Sequence, residues 1–363
     1  MISFFKSKIS LIVSLLQNTS RNGLYVLYDF VKCRKQEGVS HQEYINFRLD
    51  RCDKGFKNSF LPYAQAKKYW QILNPERYDC LARNKYLSHM LLENAGIPTP
   101  KLIAYYDTEI AVEQENAVYD YETLAALLKR KNIKSFVLKP AVDGAHGSGV
   151  VICRELIEAE GVLYIQTYDG SQTPLANYLR KEPLLFEEVV TQTSQMASFN
   201  PSSVNTLRFV TALYPNRDVK IIGVFLKIGR DGSDIDNAGN GGNVDAGCHV
   251  ENGELYNVMQ FNSWEDHQQI DRHPDTGVLL RGVKIEKWES LVAQIKNFQG
   301  RIPTLKTIGW DIALTENGPL VIEINNHWDT TGQLFIGHGW KKEVIECYNA
   351  WQNYYEKNRH EAH

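Results

Sequence analysis

Apolar positions recur along this chain with two different periods, and the change from one to the other divides it. From Asp79 to Gly96, DCLARNKYLSHMLLENAG sets Leu81, Tyr86, Leu87, Met90 and Leu91 on one helical face, with Asp79 as candidate cap and Gly96 as stop. A strand is expected next at Leu102–Tyr105, a helix over YETLAALLKRKN, a strand at SFVLKP ending in Pro140, and a further strand at VVIC after a Gly-rich loop. Beyond residue 184 strands dominate: LLFEEVV (184–190), TLRFVTALY (206–214), VKIIGVFLKIG (219–229) and DIALTENGPLVIEIN (311–325), with strong helical periodicity only over 284–298. Such a half reads as an antiparallel sheet with a helix against it. Residues 1–78 are rich in aromatic and basic side chains, read as mainly helical, and end in the turn Asn74-Pro75-Glu76-Arg77. The expected organisation is therefore α+β, with an accessory region 1–78, a first lobe 79–183 and a second lobe 184–363.

Composition narrows the function classes. The 363 residues are 43% hydrophobic and 23% charged, which is globular, and the formal charge of −3 offers no bulk field for a polyanion. Nucleic acid is not an expected partner. Cys33, Cys52, Cys80, Cys153, Cys248 and Cys347 stand singly with no CxxC pair, which fits reduced thiols and a cytoplasmic protein. The apolar run Ile9–Leu16 is interrupted by Ser10 and Ser14 and falls short of the ~20 residues a membrane span needs, so no transmembrane segment is expected. Phe4, Phe5, Ile9, Ile12, Val13 and Leu16 recur at helical spacing, as in a helix packed on the body or one lying on a membrane surface.

The sharpest chemical constellation is WDIALTENGPLVIEINNHWD. Asn317-Gly318 marks a hairpin, and the loop length decides which side chains meet. A two-residue Asn317-Gly318 loop would set Asp311 against Ile324; a three-residue Glu316-Asn317-Gly318 loop sets Asp311 directly opposite Glu323 and diagonal to Asn325. In the second register two carboxylates and an amide oxygen share one face, a hard oxygen site suited to Mg²⁺ holding nucleotide phosphates. Without a cation such paired carboxylates repel. FVLKPAVDGAHGSGVVI puts Lys139 at the end of an apolar strand before Gly144, Gly147, Ser148 and Gly149, as in a flexible turn or a flap whose N–H groups cover phosphates. Glu187 and Glu188 interrupt an apolar strand, so one of them must face inward and find a donor. Arg208, inside another apolar strand, either pairs with an acid or neutralises a transferring phosphate.

Lys85 in a helix followed by GIPTP, then FVLKP, the Gly-rich loop, FEEVV, NPSSVNTLRFVT, DN…GNGGN and IEINNHW, in that order, resembles the ATP-grasp superfamily. Over about residues 80–335 the chain looks most like the sugar-transfer-associated branch, related to the α-L-glutamate ligases. The resemblance implies an ATP-grasp fold of two α+β lobes clamping ATP. It implies that Lys85 and Lys139 contact the phosphates and the adenine side, that Gly144, Gly147, Ser148 and Gly149 close over them, and that Glu187, Glu188, Val189 and Val190 form the hinge at adenine. Asp311, Glu323 and Asn325 then match the Mg²⁺ positions. Arg208, Asn237 and a basic residue, Lys227 or Arg230, fall where such enzymes stabilise the transferred phosphoryl group, with Asn205, Gly241, Gly242, His327 and Gln333 around the acceptor. The implied activity is an ATP- and Mg²⁺-dependent carboxylate–amine ligase working through an acyl phosphate on small, sugar-linked substrates in cell-surface polysaccharide biosynthesis. The alternatives are a phosphotransferase acting on a hydroxyl and a non-catalytic nucleotide-binding protein.

Overall fold

Two sheets face each other across a cleft, and a small third sheet extends the first. Strands β1 (Leu102–Tyr106), β2 (Ala117–Val118), β3 (Phe136–Pro140) and β4 (Val151–Cys153) form the first sheet; β5 (Glu155–Ala159), β6 (Val162–Gln166) and β7 (Gln172–Pro174) form the small one. Strand β8 (Leu184–Glu187) returns to the first sheet, giving the order β2-β1-β8-β3-β4. The larger sheet is seven-stranded and antiparallel throughout. Its strands are β9 (Thr206–Leu213), β10 (Val219–Ile228), β11 (Val244–Cys248), β12 (Leu255–Phe261), β13 (His267–Gln269), β14 (Thr307–Thr315) and β15 (Gly318–Asn325), in the order β13-β12-β11-β10-β9-β14-β15. This computed structural model describes residues 13, 22–110, 115–142, 149–232, 241–263 and 266–361.

Each sheet is covered where its strands alternate apolar side chains toward one side. Leu124, Leu127 and Leu128 of the helix Tyr121–Arg130 pack on Phe136, Leu138 and Phe186 of the first sheet. Trp288, Leu291, Ile295 and Phe298 of the helix Trp288–Arg301 pack on Phe209, Leu226, Trp310 and Ile312 of the second. The other face of the larger sheet is closed at one end by two helices from opposite ends of the chain. Ala66, Trp70 and Leu73 of Tyr63–Leu73 meet Trp340, Val344 and Cys347 over Val210, Ala212 and Phe225. Trp328 lies between Trp70 and Trp340, edge to face with each at centroid distances of 5.3 and 5.4 Å. All six cysteines are free thiols, and among the described residues no helix is long and apolar enough to cross a membrane.

Three elements differ from their sequence reading. The helix expected to run unbroken from Asp79 stops at Arg83, because Asn84 is extended and its side-chain oxygen caps a new helix at Tyr86 and Leu87 N–H. That break rotates the face: Leu87 and Met90 are exposed, and Ser88, His89 and Leu92 are buried. The strand expected over 184–190 ends at Glu187, and residues 184–187, grouped by sequence with the second lobe, pair in the first sheet between β1 and β3. A 21-residue helix, Lys341–Glu361, follows Trp340, where the polar sequence announced no element.

Candidate active site

The hairpin β14–β15 brings Asp311 opposite Glu323, though by a different route from the turn the sequence suggested. Thr315 pairs with Gly318, so the loop is only Glu316-Asn317, and the register runs in step to Ile312 opposite Val321. Ile322 is then an extra residue: the next pair is Asp311–Glu323, followed by Trp310–Ile324 and Gly309–Asn325. A one-residue bulge therefore sets the facing of the carboxylates. Directly opposed residues of an antiparallel pair point to the same side, and Asn325, two positions on, shares that side.

Register carries this polar face across five strands. Asp311 is opposite Arg208 on β9, Thr206 is opposite Lys227 on β10, and Lys227 is opposite Asp245 on β11. Arg208 grips Asp311 with two hydrogen bonds of 2.6 and 2.7 Å, and Lys227 Nζ lies 3.1 Å from the same carboxylate. Burial alone would push the Asp311 carboxyl up, but the two cations hold it down at about 2. Burial likewise disfavours the Arg208 charge, and Asp311 reverses that effect, leaving the guanidinium raised. Glu323, on the edge strand, pairs with Lys85 Nζ at 3.2 Å. The break at Asn84 supplies that ammonium, since it makes Lys85 the first residue of its helix and ties its N–H to Ala141 O at 2.7 Å.

The opposite wall belongs to the first sheet. Lys139 on β3 and Glu187 on β8 form a buried pair at 2.7 Å, with side chains 8% and 6% exposed. Between the walls lies a cavity of about 400 Å³, lined by Lys85, Lys139, Glu187, Lys227, Asp311 and Glu323 among others. Glu188, Val189 and Val190 line it beyond the end of β8, with apolar contributions from Val137 and Ile152. The cavity is thus apolar where the first sheet meets the segment after β8, and charged where that sheet faces β9, β10, β14 and β15.

Other residues proposed from sequence lie elsewhere. Asn205 is fully buried and its amide is committed to Gln192, Met196 O and Asn200 O. Gln333, also fully buried, bridges Leu61 N–H and C=O, Thr330 O and Trp340 N–H. His327 packs on Trp70 with ring centroids 5.1 Å apart and lies 3.7 Å from Asp79; burial lowers its pKa. Asn325 donates its amide N–H to Gly309 O at 3.4 Å, which leaves its side-chain oxygen to accept. Gly149, Gly241 and Gly242 adopt positive φ of 79°, 65° and 80°. Arg230, the alternative to Lys227, holds Asp275 through two bonds of 2.7 and 2.6 Å and is not a lining residue of the cavity. Gly144, Gly147, Ser148 and Asn237 lie outside the described residues.

Sequence reasoning missed Arg154, Gln192, Ser202, Ser203 and Thr206, all of which line the cavity. Arg154 reaches Ser202 O at 2.5 Å, which joins the first sheet to the segment before β9. The one available signal was position, since Ser202, Ser203 and Thr206 immediately precede Arg208 in NPSSVNTLR.

Asp311 and Glu323 oppose one another with the Asn325 amide oxygen on the same side, an oxygen-donor set of the kind a hard divalent cation takes, while both Asp311 oxygens accept from Arg208 or Lys227 and Glu323 pairs with Lys85. No group of three or more His, Cys, Asp or Glu side chains placed to hold a metal occurs among the described residues, so any metal here would need ligands from outside that set.

Several solved structures resemble this one. They include an ADP complex of N5-carboxyaminoimidazole ribonucleotide synthetase, at 12% identity and a TM-score of 0.41 over 77% of this chain and 56% of that one. The D-Ala:D-Ser ligase VanG of Enterococcus faecalis matches at 11% and 0.43 over 75% and 62%. The D-alanine–D-alanine ligase of Helicobacter pylori matches at 14% and 0.39 over 74% and 61%. The matched part of this chain thus spans 56 to 62% of those proteins' length. No curated protein matches it. Residues 64–347, which include the helix Tyr63–Leu73 almost entirely and both walls of the cleft, match the family described as sugar-transfer associated ATP-grasp, and the chain belongs to that family.

Proposed function

We propose that this protein is an ATP- and Mg²⁺-dependent ligase that joins a carboxylate to an amine through an acyl phosphate, with a sugar acid and an amino acid as the substrate pair in cell-surface polysaccharide biosynthesis. The observation that carries this reading is the charged row Lys227, Arg208, Asp311 and Glu323 on one face of the larger sheet, joined at Glu323 by Lys85 from its helix and facing the buried Lys139–Glu187 pair across the cavity. Phosphoryl transfer asks a protein mainly for alignment and charge neutralisation, and a set of preorganised cations supplies both.

In this reading the adenine occupies the apolar end, against Val137, Ile152 and the backbone of Glu188–Val190. Glu187 holds the Lys139 ammonium at a set position, so that it meets the α and β phosphates without reorganising. Lys85 completes the phosphate contacts from the edge of the larger sheet. Asp311, Glu323 and Asn325 would hold Mg²⁺, which neutralises phosphate charge. Arg208 and Lys227 stabilise the γ-phosphoryl group as the substrate carboxylate oxygen attacks phosphorus and the bond to the ADP oxygen breaks. The amine nitrogen then attacks the acyl carbon, the carbon–oxygen bond to phosphate breaks, and the amine loses its proton.

Hydroxylamine trapping tests this directly. Purified protein with ATP, Mg²⁺, pooled uronic acids and amino acids should form an acyl hydroxamate and ADP together. ADP with a phosphorylated product and no hydroxamate would replace the ligase by a phosphotransferase. Nucleotide binding without ADP formation, across the full substrate pool, would leave a binding protein.

A further inference from the structure

The helix Gly23–Glu37 is apolar on two sides. Its inner face puts Val26, Phe30 and Cys33 into a core with Tyr44, Ile45, Leu49 and Phe60. Its outer face carries Leu24, Tyr28 and Val31, spaced four and three residues apart and 80%, 67% and 47% exposed. A surface helix ordinarily turns charged residues outward along its whole length. Here the outward charges are confined to the last turns, where Lys32, Arg34 and Lys35 are exposed. The helix's two acids are withdrawn from that surface: Asp29 is buried against Tyr44 and Lys57, and Glu37 is paired with Lys341.

The whole chain shows the same polarity. Residues 1–78 contain 13 Lys and Arg against 6 Asp and Glu, whereas residues 79–363 contain 27 against 37. A basic end on an otherwise acidic protein orients it toward an anionic surface. An apolar stripe bordered by Lys and Arg matches the plane of an anionic bilayer, where apolar side chains enter the headgroup–acyl boundary and the cations meet lipid phosphates. A second copy of this chain would instead bring two basic surfaces together. No described helix can cross a membrane, so the association is one of lying on the surface.

The geometry points to Leu24, Tyr28 and Val31, flanked by Lys32, Arg34 and Lys35, as a docking surface for an anionic lipid bilayer. This inference stands apart from the ligase reading, because its test needs neither ATP nor substrate.

Flotation of the full chain with phosphatidylcholine vesicles, and with vesicles that also contain phosphatidylglycerol, reads the proposal. The protein should float with the anionic vesicles only, and salt should weaken binding by about tenfold or more as the exposed charges are screened. Changing Leu24, Tyr28 and Val31 together to Ser should lower the partition coefficient by roughly tenfold or more at an unchanged melting temperature. If that variant does not fold, Lys32→Glu with Lys35→Glu, which alters only exposed side chains, should produce the same loss. Absence of vesicle binding by the unaltered chain overturns the proposal, as does equal binding to neutral and anionic vesicles. Binding that survives both variants overturns it too. Light scattering that shows a dimer converted to monomer by the Ser variant would make the stripe an interface between copies, which also overturns it.

Discussion

The centre and the edge of the larger sheet hold their acids in opposite ways. At the centre, Asp311 is 4% exposed and gripped by three N–H donors from Arg208 and Lys227. At the edge, the Glu323 side chain is 31% exposed and, among the described residues, has a single ammonium 3.2 Å away. The two residues face each other in register, so their difference comes from the strands on either side: β14 has β9 and β10 beyond it, whereas among the described residues β15 has no neighbouring strand on its far side. The central acid is therefore a structural group as well as a site group. The edge acid is held by fewer contacts and is more open to solvent.

The comparison is broken most directly by truncating each acid in turn. Asp311→Ala removes the bidentate partner of the buried Arg208 and one carboxylate from Lys227, and should cost about 3–5 kcal/mol in urea unfolding. Glu323→Ala breaks one partly exposed pair, and its loss should stay below about 1 kcal/mol. Equal losses would remove the distinction. Activity should not follow stability: Glu323→Ala, although folded, should lower ATP turnover by about 10²–10³-fold, as should Lys227→Met. Normal turnover by Glu323→Ala would take the edge acid out of the chemistry.

Acid titration sharpens the same contrast. The folded Asp311 carboxyl lies near 2, below its ordinary value of 3.8. Its contribution to stability is therefore complete above about pH 4 and is lost as pH falls through about 2, an effect of about 2 kcal/mol. Asp311→Asn should flatten the stability profile in that window, and urea midpoints at a series of pH values would read it. An unaltered acid limb would place the low-pH loss on other carboxylates. The smallest effect is expected at the hairpin tip. The facing of Asp311 and Glu323 is set at Ile322, so inserting one glycine between Glu316 and Asn317 should cost less than about 1 kcal/mol and leave turnover intact.

How legible the sequence was depends on how local each cause is. The strands around Lys139, Arg208, Lys227 and Asp311 were visible because each is an apolar run interrupted by only one or two charges. The opposition of Asp311 and Glu323 was also anticipated, but through a three-residue turn, because a bulge at Ile322 inside LVIEIN has no mark in the sequence. The break at Asn84 was hidden for a related reason. Helical spacing continues through ARNKYL, and the cap from Asn84 becomes a second start with the tertiary bond from Lys85 N–H to Ala141 O, which the local sequence does not show. Helix Lys341–Glu361 went unseen because its contact with Tyr63–Leu73 buries only a few side chains on a polar background. Arg154 and Ser202 meet across 48 positions of chain, and nothing near either of them signals the other.

The tryptophans beside the end of β15 give the molecule an optical property of its own. Trp328 stands three residues past Asn325, in edge contact with Trp70 and Trp340, while His327 lies over the Trp70 ring. Indoles this close couple electronically, and their emission depends on the groups packed against them. Any ligand that shifts the end of β15 would thus change near-ultraviolet dichroism and fluorescence together, so that the unlabelled protein could report its own occupancy in a simple titration.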